Sequence, residues 1–140
     1  MIGTQLLKLP HILKNELPYI TCHQLASLLK KPTPLPFDKI ILLDARSPFE
    51  FERGHIKSAK NINFPSQIAK ILDYSSKKNL CGICYCELSQ SRGPNLYRYI
   101  RSYDYEKNNN DPSHLSLPQL YILDGGYKGF HSEYSSLCSC

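Results

Sequence analysis

The amino-acid sequence predicts an α/β fold in which helices cover a parallel sheet. Short apolar runs typical of buried strands alternate with stretches that repeat apolar residues at helical spacing. The apolar content of 41% is enough for one hydrophobic core in a chain of 140 residues. No stretch of about 18 consecutive apolar residues, the length of a membrane-spanning helix, interrupts this pattern.

The predicted elements follow in a regular order. A minimal strand at 19–20 precedes a helix that Thr21 and Gln24 begin with a capping box. After the proline-rich stretch 31–36, residues 38–44 form the clearest central strand. The remaining predictions are a helix at 48–52 ended by Gly54, a short strand at 62–64, a helix at 67–74, a strand at 80–85, a helix after Gly93, a surface loop at 105–118, a strand at 120–123 and a final helix after Gly125-Gly126.

The segment between Cys86 and Arg92 carries the strongest chemical signal. A chain of this length can curl so that successive backbone N–H groups point at one tetrahedral oxyanion, with the Cys86 thiolate beneath its central phosphorus or arsenic atom. Arg92 closes the ring, because its permanently charged planar guanidinium binds two oxygens at once. We call residues 86–92 the oxyanion loop, with Cys86 as nucleophile and an anion-binding run of Glu87, Leu88, Ser89, Gln90, Ser91 and Arg92.

The surroundings of the oxyanion loop support this interpretation. An apolar run at 80–85 enters it, and Gly93-Pro94 leads out of it into residues with helical spacing, namely Leu96, Tyr99, Ile100 and Tyr103. A strand, loop and helix in this order place a helix N-terminus against the bound anion. The positive end of the helix favours both the anion and the Cys86 thiolate.

Composition excludes several other classes of function. The net charge of +5 comes from scattered lysines and arginines rather than a basic block interleaved with aromatics, so nucleic-acid binding is not expected. A basic chain does suit a phosphoprotein partner. The N-terminal residues lack a secretory signal, so reduced thiols and an intracellular location are expected. No metal or cofactor is predicted, since the spacing of possible zinc ligands fits no standard site; these are Cys81, Cys84, His131, Cys138 and Cys140.

Three separated segments, at residues 43–59, 86–94 and 120–130, together resemble the M-phase inducer phosphatases, the cell-division-cycle-twenty-five type. The resemblance runs from about residue 19 to residue 140, so residues 1–18 are expected to be an unassigned N-terminal extension. It implies a rhodanese-like fold with about five parallel strands and helices on both faces. Rhodanese-type sulfurtransferases have a loop one residue shorter, so the five residues between Cys86 and Arg92 fit phosphate or arsenate better than a persulfide donor.

The resemblance also implies an activity. The family members are dual-specificity phosphatases that remove phosphate from phosphotyrosine and phosphothreonine of a cyclin-dependent kinase through a phosphocysteine intermediate, which promotes mitotic entry. By resemblance, a monomer of the nucleus and cytoplasm that binds neither nucleic acid nor membrane is expected, with no metal. Glu87 is the candidate general acid or base.

Further residues are placed by the resemblance. Four match the signature of the fold and are expected to orient loops: Asp44, Arg46, Glu50 and His55. Arg101 matches a kinase-docking position, whereas Tyr105 replaces a second docking arginine. Tyr85 supports the loop where the family usually has a histidine. Ser91 replaces a common glutamate, and Ala45 replaces a cysteine that protects the nucleophile from oxidation.

Two alternatives remain open from the sequence. An arsenate reductase of the same fold would use Cys86 to attack arsenate and a second thiol, from Cys84, Cys138 or glutathione, to resolve the adduct. A catalytically weak docking domain is the other, suggested by Tyr85 and Ser91. The presence of both Cys86 and Arg92 argues against it, because a docking domain needs neither.

Overall fold

A six-stranded sheet forms the centre of the computed structural model, which describes residues 7–30 and 35–139. The strand order is β1-β2-β7-β6-β3-β5, and every neighbouring pair is parallel except β1 with β2. A separate antiparallel pair joins β4 to β8. The strands are β1 (Ile12–Lys14), β2 (Leu17–Ile20), β3 (Lys39–Asp44), β4 (His55–Ile56), β5 (Lys60–Asn61), β6 (Leu80–Tyr85), β7 (Gln119–Leu123) and β8 (Cys138–Ser139).

Helices cover both faces of this sheet. Ile68 and Leu72 of α3 pack with Leu96 and Ile100 of α4 in one buried cluster on the first face. On the other face, α1 and α5 contribute to a second cluster. The helices are α1 (Cys22–Lys30), α2 (Pro48–Glu52), α3 (Pro65–Ser75), α4 (Arg92–Lys107) and α5 (Gly126–Tyr134), with 3-10 turns at Pro112–His114 and Ser135–Leu137. None of the helices in the described ranges has the length and apolarity needed to cross a membrane.

The predicted fold class is therefore confirmed, together with the capping box of α1. Thr21 Oγ1 accepts the Gln24 N–H at 3.0 Å, and Gln24 Oε1 accepts the Thr21 N–H at 2.8 Å. The central strand β6 is buried along its whole length. Its side chains alternate between the two clusters, so Cys84 faces α3 and α4 whereas Tyr85 faces α1 and α5.

The expectation of five parallel strands needs one correction. The sheet has a sixth strand, β1, which is antiparallel and forms the edge. All three of its residues are exposed, so they leave no buried pattern in the sequence. Asn15 and Glu16, both at positive φ, make the turn into β2. Residues 12–18 thus join the sheet although they precede residue 19, and the domain boundary predicted there stays a prediction.

Two predicted boundaries are also wrong. The short strand lies at Lys60–Asn61 rather than 62–64. The Ile62 N–H still donates to the Asp44 carbonyl at 2.9 Å, but its side chain enters the core and the strand does not continue. The loop predicted at 105–118 starts later, since α4 continues to Lys107. The buried Asp104 carboxylate accepts the N–H groups of Ser116 and Leu117 at 2.8 and 2.9 Å, and this fixes the end of the loop against the helix. Most of the proline-rich stretch 31–36, and Cys140, lie outside the described residues.

Candidate active site

Cys86 lies between the end of β6 and the beginning of α4, as the sequence predicts. Its side chain is buried, with 3% of the residue exposed. The Gly93 N–H in the first turn of α4 donates to Cys86 Sγ at 3.0 Å. A Cβ on Gly93 would lie 3.2 Å from the Cys86 nitrogen, so glycine permits this close approach. A helix N–H on the sulfur stabilises the thiolate, which is the nucleophilic form.

The first two carbonyls of the oxyanion loop are held by α5. The Tyr127 N–H donates to the Cys86 carbonyl at 2.9 Å, and the Lys128 N–H donates to the Glu87 carbonyl at 3.0 Å. Gly126 makes this contact possible at φ +62°, since a Cβ there would lie 2.5 Å from the Cys86 carbonyl oxygen. Because these two carbonyls accept hydrogen bonds from α5, they do not compete with a bound oxyanion for the N–H groups of the loop.

The sequence predicts a final helix after Gly125-Gly126 but not this contribution of α5 to the oxyanion loop. The paired glycines before a helix were the available signal. Inside the loop, Ser89 is buried at φ +55° and its Oγ accepts the Cys86 N–H at 3.4 Å. Both ends of the loop and its middle therefore have defined contacts.

Arg92 forms a two-pronged ion pair with Glu50 of α2. Its two terminal nitrogens lie 2.6 and 3.2 Å from the Glu50 carboxylate oxygens, and the Arg92 side chain is 45% exposed. Ser47 begins α2 with a capping box, in which Glu50 Oε1 also accepts the Ser47 N–H at 3.0 Å. The hydrogen bonds from Arg92 are the main reason that the pKa of Glu50 falls to about 2. Glu50 is therefore ionised, and its carboxylate holds Arg92 beside the oxyanion loop.

Arg46 connects the oxyanion loop to the buried end of β3. Its guanidinium donates to Asp44 at 2.8 Å and to the Gly54 carbonyl at 2.7 Å. A third contact reaches Glu87 Oε1 at 3.3 Å, and the guanidinium lies 4.2 Å from the centre of the Tyr127 ring. Asp44 and Arg46 are fully enclosed, so this pair orders the surroundings of Glu87 rather than meeting solvent.

Tyr85 and His55 occupy supporting positions. Tyr85 lies on β6 directly before Cys86 and is completely buried, with no hydrogen-bond partner for its hydroxyl among the described residues. Burial, followed by the neighbouring Asp44, raises the pKa of Tyr85. His55 stacks on Phe51 with ring centres 3.8 Å apart, and its Nδ1 lies 2.8 Å from the Phe51 carbonyl oxygen. His55 therefore fixes the end of α2, which carries Glu50.

Arg101 does not lie with the other candidate residues. Its guanidinium donates to the Leu117 carbonyl at 2.9 Å and lies 3.5 Å from Asp104, with only 14% of the side chain exposed. The docking role of Arg101 stays a prediction, although these contacts leave little of its guanidinium for a partner.

Among the described residues, Cys84 and Cys138 make no contact with Cys86 or Arg92 that would give them a part in the site. Cys84 is completely buried, and burial raises its pKa well above the ordinary value. Cys138 lies in β8, 9% exposed, beside Tyr134. Within the described ranges, no three His, Cys, Asp or Glu side chains are grouped as metal ligands would be.

A shallow depression with a cavity volume of about 360 Å³ adjoins Arg92. Ile62, Phe64 and Tyr99 contribute apolar surface to it, and Asn95 contributes a polar group. Tyr99 shares its helical spacing with the buried Leu96 and Ile100, yet it is 46% exposed, and Phe64 is 65% exposed. Exposed aromatic surface beside a charged site is typical of a surface that contacts another molecule.

Comparison with known proteins agrees with this geometry. The sequence matches the rhodanese-like domain family over residues 21–133. It is 37% identical over 139 residues to an M-phase inducer phosphatase of Emericella nidulans. The aligned region covers 96% of this chain and 25% of that protein. The chain spans about a quarter of the length of the curated relatives it matches.

Solved structures show the same fold. The As-Sb reductase from Leishmania major has a TM-score of 0.68 and 22% identity, covering 86% of this chain and 83% of that chain. A yeast protein tyrosine phosphatase of the rhodanese family has a TM-score of 0.67 and 20% identity, covering 86% and 90%. The sequence and the fold agree, and the chain belongs to the rhodanese-like domain family, with nearly its whole length similar to part of the M-phase inducer phosphatases.

Proposed function

We propose that this chain is the catalytic domain of a cysteine-dependent dual-specificity protein phosphatase whose substrate is a cyclin-dependent kinase phosphorylated on tyrosine and threonine. The observation that carries the proposal is the Gly93 N–H held 3.0 Å from Cys86 Sγ at the start of α4. A backbone donor at a helix N-terminus is one of the arrangements that stabilise a thiolate nucleophile. The proposal includes a monomer of the nucleus and cytoplasm that promotes mitotic entry.

In the proposed reaction, Cys86 Sγ attacks the phosphorus in line with the bond to the substrate oxygen. The sulfur–phosphorus bond forms as that phosphorus–oxygen bond breaks, and the leaving oxygen takes a proton from Glu87 or from the phosphate itself. Water then attacks the phosphocysteine, which releases inorganic phosphate and the thiolate. The loop N–H groups and Arg92 stabilise the equatorial oxygens in both steps.

Arg92 changes partner in this scheme. Its guanidinium binds the Glu50 carboxylate in the structure, with a geometry that a phosphate group can also accept. Because the pair is partly exposed, breaking it costs about 1 kcal/mol or less. A dianionic phosphate placed over Cys86 can therefore draw Arg92 from Glu50 without rearrangement of α2.

The surroundings favour a protein substrate over a small molecule. The depression beside Arg92 is open, and exposed aromatic side chains border it at Phe64 and Tyr99. Phe49, next to Glu50 on α2, is 66% exposed as well. Apolar surface of this kind is typical of sites that receive another protein.

Neither alternative gains a specific observation. Arsenate reduction by a second thiol of this chain is not favoured at Cys84, because that side chain is completely buried. A purely docking role would leave unexplained the hydrogen bond that Gly93 donates to Cys86.

The test is hydrolysis of a small aryl phosphate by reduced wild-type protein and by Cys86→Ser. We expect turnover to fall by roughly 10⁴-fold or more in Cys86→Ser. Cys22→Ser is the matched control. The Cys22 thiol in α1 donates to the Asp124 carbonyl, and a serine hydroxyl can keep that hydrogen bond. Absence of turnover in the reduced wild type would overturn the proposal.

The same proteins are then assayed on a cyclin-dependent kinase carrying phosphotyrosine and phosphothreonine. Release of phosphate from the kinase by the wild type, and not by Cys86→Ser, is expected. Hydrolysis of the aryl phosphate without any action on the kinase would retain the phosphatase and reject this substrate.

A further inference from the structure

A second, larger groove lies between α3 and the β3–β5 edge of the sheet. Its cavity volume is about 550 Å³. Ile62 and Ile71 provide apolar walls, and Tyr74 lines it near the end of α3. Lys39 and Lys60, from the strands, and Gln67 and Lys70, from the helix, complete the lining. We call this the lysine groove.

The positive charge of the lysine groove is not neutralised. All three lysines are exposed, and none takes part in an ion pair within residues 7–30 and 35–139. No acidic side chain of the described chain lines the groove. Lys78 adds further charge nearby, with its Nζ 5.6 Å from the centre of the Tyr74 ring. Such a surface attracts an anionic partner.

The strand edge beside the lysine groove is mostly covered. Strand β5 pairs with β3 only at Leu43 and Asp44. The preceding residues Ile40, Ile41 and Leu42 are nevertheless only 8%, 6% and 1% exposed. A partner in the groove therefore meets side chains, chiefly the three lysines, rather than the edge of β3.

The lysine groove also reaches toward the oxyanion loop. Ile62 lines both this groove and the depression that contains Arg92. A single extended chain can therefore occupy the two in succession, with one end near Arg92 and the other among the lysines.

We propose that the lysine groove binds an acidic, extended segment of the protein that the site dephosphorylates. The proposal rests on the proposed function for the identity of that protein, but the binding itself requires no turnover. Carboxylates of the segment would pair with Lys39, Lys60 and Lys70. The groove thereby selects substrates with acidic residues on one side of the phosphorylated one.

The test is binding of a fluorescein-labelled peptide rich in glutamate and aspartate, without phosphate, measured by fluorescence anisotropy. A peptide with glutamine and asparagine at the acidic positions is the neutral comparison. We expect Lys60→Glu with Lys70→Glu to weaken binding of the acidic peptide about tenfold, because attraction at two exposed positions becomes repulsion. Lys8→Glu with Lys107→Glu is the matched control, since it makes the same charge change away from the lining, and binding should stay within about twofold.

The proposal would be overturned if both double variants bound the acidic peptide equally weakly, or if the wild type bound the neutral peptide as tightly as the acidic one. In a second assay, the groove variant should raise KM for a phosphopeptide with acidic flanking residues and leave hydrolysis of a small aryl phosphate unchanged. A KM that does not change would also overturn the proposal. Failure of the wild type to hydrolyse aryl phosphate would instead reject the proposed function, and anisotropy would still decide whether the groove binds acidic chains.

Discussion

Two carboxylate–guanidinium pairs flank the oxyanion loop in opposite surroundings. The side chains of Asp44 and Arg46 are 0% and 3% exposed, whereas those of Glu50 and Arg92 are 33% and 45% exposed. Their shortest nitrogen–oxygen distances are similar, 2.8 and 2.6 Å. In both pairs the guanidinium donates to both carboxylate oxygens, through Nε and one terminal nitrogen in Arg46 and through both terminal nitrogens in Arg92. The access of water is the largest difference between them.

This difference assigns the two pairs to different tasks. Removing charges from water is unfavourable, so a buried pair persists only when its hydrogen bonds are satisfied. Asp44 and the Gly54 carbonyl accept these hydrogen bonds from Arg46. The exposed pair gains little net free energy and can exchange partners. We infer that Asp44 and Arg46 maintain the architecture, while Arg92 remains available to the substrate.

The largest expected effect comes from breaking the buried pair. Asp44→Ala leaves the Arg46 guanidinium charged and without its main partner in the protein interior, so we expect a loss of about 3–5 kcal/mol in the free energy of unfolding. Urea denaturation at neutral pH measures it. Glu50→Ala is the comparison from the exposed pair and should lose about 1 kcal/mol or less. Equal losses in the two variants would remove the distinction drawn between the pairs.

Arg92→Lys, in the exposed pair, should have a large effect on activity and a small effect on stability. A lysine cannot bind two oxygens in one plane, so kcat for a small aryl phosphate should fall by about 10²–10³-fold. The free energy of unfolding should change by about 1 kcal/mol or less. Arg98→Lys, an exposed position on the same helix, is the control for the substitution itself. A lower free energy of unfolding in Arg92→Lys with kcat unchanged would contradict the catalytic assignment.

Glu50→Gln sharpens the comparison through its dependence on pH. The pKa of Glu50 is lowered from 4.5 to about 2, so its ionised form stabilises the folded state. That contribution is complete above pH 4.5 and is lost as the pH falls toward 2. Wild type should exceed Glu50→Gln by about 1 kcal/mol or less at pH 7, because the pair is partly exposed. Urea denaturation between neutral and acidic pH should show the difference shrinking; a constant difference would refute the linkage.

The smallest expected effect is at Tyr85, beside the buried pair. Its hydroxyl has no hydrogen-bond partner among the described residues, so Tyr85→Phe removes a buried polar group without breaking a hydrogen bond. The free energy of unfolding should change by about 0.5 kcal/mol or less, or increase. Thermal unfolding followed by circular dichroism measures it. A clear loss of stability would mean that the hydroxyl is bound to Asp44.

The parts of the fold that the sequence predicts well are those with a buried pattern. Residues 80–85 are apolar and form a strand that is buried throughout, and the loop and helix after them follow in the predicted order. Thr21 and Gln24 predict their own hydrogen bonds, because a capping box depends only on residues three positions apart. Local chemistry of this kind is readable without knowledge of the fold.

The features that escape prediction depend on distant parts of the chain. Strand β1 is held by pairing with β2 rather than by burial, so its sequence carries no apolar alternation. The partner of Arg92 is Glu50, 42 positions away, and nothing local joins them. The role of Gly126 depends on the approach of α5 to the carbonyls of Cys86 and Glu87, which only the assembled fold brings about.

The anchoring of the oxyanion loop has a consequence for how the site can evolve. Its geometry is maintained by backbone contacts of Cys86 and Glu87, by the buried Ser89 and by Gly93. The side chains of Leu88, Gln90 and Ser91 are exposed and take no part in this anchoring. These three positions can therefore be varied in a combinatorial library while the nucleophile stays in place. Substrate preference is thus free to diversify on a catalytic framework that does not change.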